Sequence, residues 1–139
     1  MLVKEVMTKN VITIKKNQSV LDVANIYKKY KIGCLVVKEN GNCIGIVTER
    51  DIIERTICEN KSPVNTKVED IMSKKIITIH SLEKLDYAVE LMIKNSIKKL
   101  PVVKENEIVG IITATDISRA RPDLSKRFIE SWVRPIWQD

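Results

Sequence analysis

Two short stretches of this chain have the residue types for ligand chemistry: Thr48-Glu-Arg-Asp51 and Thr113-Ala-Thr-Asp116, each directly after a Gly-Ile run. An ionised carboxylate is an acceptor with two oxygens, so Asp51 and Asp116 suit a ribose, whose vicinal hydroxyls both donate. Thr48 and Thr113 stand where an extended run gives way to a helix. The N–H groups of such a helix start favour a phosphate, and the threonine hydroxyl adds a donor. The same Thr-x-x-Asp spacing is also a capping box, in which the two side chains satisfy backbone donors without any ligand. Ser19 to Asp22 and Thr66 to Glu69 fit that pattern away from any Gly-Ile run, so the motif alone leaves both readings open.

One unit, present twice, positions these stretches. Residues 3–55 recur without a gap as residues 68–120: Val3-Lys-Glu-Val-Met7-Thr faces Val68-Glu-Asp-Ile-Met72-Ser, Ile12-Thr-Ile14 faces Ile77-Thr-Ile79, and Gly45-Ile-Val-Thr48-Glu-Arg-Asp51 faces Gly110-Ile-Ile-Thr113-Ala-Thr-Asp116. Val11 to Ile14 is β-branched and reads as a strand. Val20, Val23, Ala24 and Tyr27 then fall at helical spacing, with Ser19 placed to cap. Cys34 to Val37 and Cys43 to Val47 are two further apolar runs around Asn40-Gly41, a hairpin signal, and Asp51 to Arg55 begins a second helix. The second copy repeats the order with Ile76 to Ile79, a helix carrying Leu85, Ala88, Val89 and Met92, the runs Leu100 to Val103 and Ile108 to Ile112, and a helix from Thr113.

The expected fold is therefore α/β (α+β): two pseudo-twofold-related repeats, each strand-helix-strand-strand-helix, packed through their sheets with a cleft between them. Residues 1–60 form the first repeat, the Pro-broken 61–67 a linker, 68–121 the second repeat and 122–139 a helical tail. In the tail, Leu124, Phe128, Ile129, Trp132 and Val133 make a stripe that Arg134-Pro135 stops. Such a stripe packs on its own repeats or on a second subunit, because large aromatic patches are rarely left in water. Gly45 and Gly110 are expected to keep the strand before each Thr slim enough for backbone to approach a ligand.

Composition removes other classes. Three cysteines, Cys34, Cys43 and Cys58, are odd in number and without C-x-x-C spacing, which implies thiols in a reducing, cytoplasmic setting. Lys4 and Glu5 precede any apolar run, so neither a signal peptide nor a membrane span is expected. The net charge of +6 raises the alternative of a basic nucleic-acid-binding protein. Against it, the lysine doublets are scattered among acids, and no aromatics interleave with them as a stacking platform. His80 is the sole histidine and sits in a polar stretch, so neither a metal site nor a thiol–imidazole pair is expected, and the chain does not read as an enzyme.

The pattern resembles a tandem pair of cystathionine-β-synthase (CBS) domains, the Bateman module. The likeness covers residues 3–120 and rests on V-x-[ED]-[VI]-M-[TS], on Ile32-Gly-Cys-Leu-Val-Val37 and Ile97-Lys-Lys-Leu-Pro-Val102, and on G-I-[VI]-T-x-x-D in both copies. The resemblance implies binding of an adenosine nucleotide (AMP, ADP or ATP) or S-adenosylmethionine between the repeats, with no other cofactor, and two modules paired as a homodimeric disc. Carried over by position, one cleft would use Thr48, Arg50 and Asp51 with Ile76, Ile77, Ile97, Lys98 and Lys99. The other would use Thr113, Thr115 and Asp116 with Val11, Ile12, Ile32, Gly33 and Cys34. Lys98 and Lys99 stand where Gly33 and Cys34 stand in the first copy, so the Asp51 cleft is expected to be the more cationic. Arg50 would add to that charge and Glu49 offset part of it, leaving the Asp116 cleft to suit the sulfonium of S-adenosylmethionine. The implied role is a regulatory sensor signalling to a partner protein, with the tail as the contact.

Overall fold

A computed structural model describes residues Met1–Trp132; the expectations for Val133 and for the Arg134-Pro135 stop lie outside the described residues. Among those described, the chain carries two three-stranded sheets, ordered β1-β2-β3 and β4-β5-β6, and six α-helices. It divides into two compact units that follow different lines from the sequence repeat.

The first unit spans Val11–Ile76 together with Asn106–Ile108. Its β1 (Thr13–Ile14) lies parallel to β2 (Cys34–Glu39), pairing Thr13 with Val36 and Ile14 with Val37. A parallel pair needs a long crossover, and helix α2 (Val20–Tyr30) supplies it. Ser19 caps α2 as expected: the Asp22 amide donates to Ser19 Oγ at 3.1 Å and the Ser19 amide to Asp22 Oδ2 at 3.2 Å. Val20, Val23 and Tyr27 bury the predicted stripe. Strand β3 (Asn42–Thr48) returns antiparallel to β2 through Asn40 and Gly41, both at positive φ (52° and 83°), as a tight hairpin requires. Helix α3 (Glu49–Ile52) follows and runs directly into a π-helical turn at Ile53–Ile57.

The second unit joins Met1–Asn10 to Ile77–Glu105 and the residues from Val109. Here β4 (Ile79–His80) pairs parallel with β5 (Lys99–Lys104), Ile79 opposite Val102. Helix α4 (Leu85–Asn95) crosses over with Leu85, Ala88, Val89 and Met92 buried. Strand β6 (Glu107–Thr113) leads into α5 (Ala114–Ala120), and α6 (Pro122–Trp132) packs on α4 and α5. Leu124 and Phe128 are buried, and the Phe128 and Trp132 rings stack 4.8 Å apart. Of the two options for the tail stripe, its buried side therefore lies on its own repeat. Ile129 departs from the expected stripe and is 55% exposed.

Each unit takes its opening segment from the other copy in sequence. Helix α1 (Val3–Val6) belongs to the second unit, where the Val3 amide donates to the Glu83 carbonyl at 2.8 Å and Lys4 to Ser81 at 3.0 Å. The equivalent Val68–Asp70 turn belongs to the first, with Val68 donating to Gln18 at 2.8 Å and Glu69 to Lys16 at 3.0 Å. Val3 and Val68 are both fully buried there.

Three local expectations need correction. The opening strands are two residues long rather than four, because Val11 and Ile12 and their counterparts Ile76 and Ile77 precede the paired segments. Thr66 does not cap: its hydroxyl donates to the Ser62 carbonyl at 2.7 Å, and the turn that follows has Lys67 as an N-cap without a side-chain bond. The surfaces at Gly45 and Gly110 are already occupied. A Cβ on Gly45 would overlap Met72 Sδ and lie 2.9 Å from its Cγ, and one on Gly110 would lie 2.5 Å from Met7 Sδ and 2.9 Å from the Thr8 carbonyl. The glycines make room for the methionine of the opening motif, and that explains why Gly-Ile and Val-x-x-x-Met occur together in each copy.

Candidate functional site

Thr48 and Thr113 are N-caps, of α3 and α5, and the Asp of each motif closes the capping box. In the first unit, Asp51 Oδ2 accepts from the Thr48 amide at 2.9 Å and from the Thr48 hydroxyl at 3.1 Å, while the Asp51 amide donates to Thr48 Oγ1 at 3.3 Å. In the second, Asp116 Oδ2 accepts from the Thr113 amide at 3.1 Å and the Asp116 amide donates to Thr113 Oγ1 at 3.0 Å. The capping reading is thus realised in both copies. Capping uses only Oδ2 in each case. Asp51 Oδ1 lies 3.8 Å from Arg55 Nε with the side chain 15% exposed, and Asp116 lines an open depression of about 340 Å3 with Met1, Glu5, Val6, Arg119 and Ala120. A carboxylate oxygen outside the cap keeps lone pairs for hydroxyl donors. Helix α3 has four residues and α5 seven, so their first-turn N–H groups matter more than any extended dipole.

The remaining candidates distribute between the units as follows. Val11, Ile12, Ile32, Gly33, Cys34, Thr48, Arg50, Asp51 and Ile76 lie in the first, and Ile77, Ile97, Lys98, Lys99, Thr113, Thr115 and Asp116 in the second. Within the first unit, Cys34 is the register partner of Thr48, and the Glu49 amide donates to the Gly33 carbonyl at 3.1 Å. The second unit repeats this: the Ala114 amide donates to the Lys98 carbonyl at 2.8 Å. The start of the second strand and the Thr-x-x-Asp turn are therefore tied together in each unit. Ile12 and Ile32 pack partly buried against one core, Ile77 and Ile97 against the other, so each retains an apolar edge suited to a base.

The charges are differently placed from the expectation. Arg50 is exposed and donates from Nε to Glu54 Oε1 at 2.7 Å, and that carboxylate holds its guanidinium proton more tightly than usual. Glu49, expected to offset Arg50, instead extends over Gly33: a Cβ there would overlap Glu49 Oε1 and lie 2.8 Å from its Cδ. Lys98 is exposed and its Nζ stands 5.8 Å from the centroid of the Trp132 ring, within cation–π range. Sequence reasoning missed both the Glu49 and the Trp132 contacts. The first was signalled only by a glycine facing an acid, the second not at all. Tyr27, buried behind this region, donates to the Val47 carbonyl at 2.6 Å. Burial drives its phenol far above the usual range, reinforced by Cys34, Asp51 and Glu49.

The paired capped turns, each behind a glycine that seats an opening methionine, coincide with a match to the CBS domain family at residues 3–57 and again at 68–123. The chain belongs to the CBS domain family. It is a tandem CBS pair, similar to the CBS domain-containing protein YhcV of Bacillus subtilis (33% identical over 116 residues, 84% of this chain and 82% of that protein). A relative from Methanopyrus kandleri, MK0525, is 35% identical over 124 residues; these are 88% of this chain, which spans only 63% of that protein's length. Among solved structures, the CBS domain pair of protein MJ0100, in complex with 5′-methylthioadenosine and S-adenosyl-L-methionine, superposes with a TM-score of 0.79 at 35% identity, covering 88% of this chain and 97% of that one. Among the described residues no group of three or more His, Cys, Asp or Glu is arranged to hold a metal ion, and no helix is long and apolar enough to cross a membrane.

Proposed function

We propose that this CBS pair is a ligand-sensing regulatory module that binds an adenosine nucleotide between its repeats and passes the signal to a partner chain. One observation supports the reading: in both units the cap engages Oδ2 of the Asp, so that Oδ1, which in Asp51 also lies 3.8 Å from Arg55 Nε, keeps lone pairs for a ribose diol. In this reading each cleft combines the Thr and Asp of one repeat with the apolar wall of the other. Thr48, Arg50 and Asp51 face Ile76, Ile77, Ile97, Lys98 and Lys99; Thr113, Thr115 and Asp116 face Val11, Ile12, Ile32, Gly33 and Cys34. Lysine ammonium groups at one wall favour phosphate there, since hydrogen bonds to charged groups contribute about 1.5–3 kcal/mol each. Binding shifts the arrangement of the repeats only by its differential affinity for the alternatives, and a homodimer or another protein then reads the change.

A second reading has its own support. The MJ0100 pair, 35% identical, is in complex with 5′-methylthioadenosine and S-adenosyl-L-methionine, so a thioether or sulfonium adenosine is a competing ligand. Titration calorimetry with AMP, ATP and S-adenosylmethionine on the wild-type chain, Asp51→Ala and Asp116→Ala tests both. Nucleotide binding lost chiefly on Asp51→Ala supports the first reading. Binding unaffected by either substitution would show the carboxylates to be caps alone.

A further inference from the structure

The two units hold the same backbone contact with opposite charges beside it. The amide that opens the last helix donates to the carbonyl at the start of the second strand, Glu49 to Gly33 at 3.1 Å and Ala114 to Lys98 at 2.8 Å. Where one unit has a neutral glycine and an acid, the other has a lysine and a neutral alanine. The acid is directed: a Cβ on Gly33 would overlap Glu49 Oε1, lie 2.8 Å from Cδ and 3.1 Å from Cγ. Its carboxylate therefore occupies the place where the second unit carries the lysine side chain. The two copies differ at both positions, so that an acid stands beside one strand start and a lysine at the other.

We propose that Glu49 is a specificity-determining residue, which makes the wall at Gly33 reject phosphate and select an adenosine ligand bearing a positive charge, such as a sulfonium. The inference rests on the reading that this wall lines a ligand cleft. The physical reason is Coulombic: a carboxylate near the ligand's tail repels a phosphate and attracts a sulfonium or ammonium, more strongly as bound ligand displaces water. Specificity of this kind comes as much from repelling the wrong ligand as from attracting the right one. The glycine belongs to the same device, because any side chain at position 33 would displace the carboxylate.

The test uses the full chain carrying Asp51→Ala, so that binding at the other cleft reports alone, and compares S-adenosylmethionine with ATP by calorimetry. Glu49→Gln, a near-isosteric change at an exposed residue, is expected to weaken S-adenosylmethionine by about two- to fivefold, the scale of one exposed charge pair, and to strengthen ATP. The transplanted pair Gly33→Lys with Glu49→Ala is expected to invert the preference. In the reciprocal Asp116→Ala background, Ala114→Glu is expected to weaken ATP. Binding that persists with unchanged preference in Glu49→Gln and in the transplanted pair overturns the inference and leaves the proposed function standing. Failure of every version, wild type included, to bind either ligand overturns the proposed function and the inference with it.

Discussion

The thioether of Met72 fills the space that a side chain at Gly45 would need, and Met7 stands in the same relation to Gly110. Around each contact the segment after the methionine pairs with the strand: Ile46 and Ser73 exchange amide bonds at 3.0 and 2.8 Å, Thr8 and Ile111 at 2.9 and 3.0 Å. The opening motif is thereby held as a short added edge on the last strand of each sheet.

Adding a methyl group at either glycine is an overpacking change, costing about 1–3 kcal/mol. The two sites are expected to differ. At Gly45 the nearest atoms belong to the Met72 side chain and the Ser73 carbonyl is 3.2 Å away, whereas at Gly110 the Thr8 carbonyl itself is 2.9 Å away. Backbone yields less readily than a thioether, so Gly110→Ala destabilises more than Gly45→Ala in urea unfolding. Combining Gly45→Ala with Met72→Ala recovers part of the loss through non-additivity. Equal costs with strict additivity would show that these contacts do not hold the opening segments.

Tyr27 ties α2 to the strand that delivers Thr48, through its 2.6 Å bond to the Val47 carbonyl. Because burial raises its folded pKa above the unfolded value, the linkage sign is fixed. Its contribution is fully present below the unfolded pKa, near 10, and is lost as pH rises toward the folded value. In an alkaline titration, the phenolate absorbance of Tyr27 is expected only together with unfolding. Tyr27→Phe removes that delayed step and costs about 1–2 kcal/mol at neutral pH for the lost bond. A Tyr27→Phe chain that unfolds in alkali at the wild-type pH would contradict this.

Much of the fold was legible because periodicity and burial coincide. The buried stripe on α4 and, Ala24 apart, that on α2 are legible from spacing, as are the Ser19 cap and the Asn40-Gly41 turn. What stayed hidden were features that tertiary contacts impose on unpromising residues. Helices α2 and α4 end on Lys31 and Ser96 at φ 57° and 54°, and the second hairpin turns through Glu105 and Asn106 at 52° and 66°. These left-handed positions usually favour glycine; here both helix ends and the second hairpin adopt them without it, whereas the first hairpin uses Gly41. The exchange of opening segments was invisible for a related reason. A repeat aligned with itself identifies like residues but does not say which copy of a segment packs on which sheet. At the candidate site, the Thr-x-x-Asp turns are legible as either capping boxes or ligand-binding turns, whereas the reach of Glu49 over Gly33 depends on a rotamer.

Lys98 and Trp132 join the candidate phosphate-facing wall to the last described turn of α6. An exposed cation–π contact contributes about 0.5–1 kcal/mol, less than the roughly 1.5–3 kcal/mol of a charged hydrogen bond, so a phosphate arriving at Lys98 should draw its ammonium off the ring. In a Trp137→Phe chain, where Trp132 is the remaining indole, ATP is therefore expected to change the tryptophan emission, and 5′-methylthioadenosine, which lacks phosphate, to leave it unchanged. Lys98→Met is expected to abolish the ATP response while Phe128 still stacks on Trp132 at 4.8 Å and keeps α6 docked. An identical emission change with both ligands, or one that survives Lys98→Met, would separate the tail from the phosphate and leave α6 as packing alone.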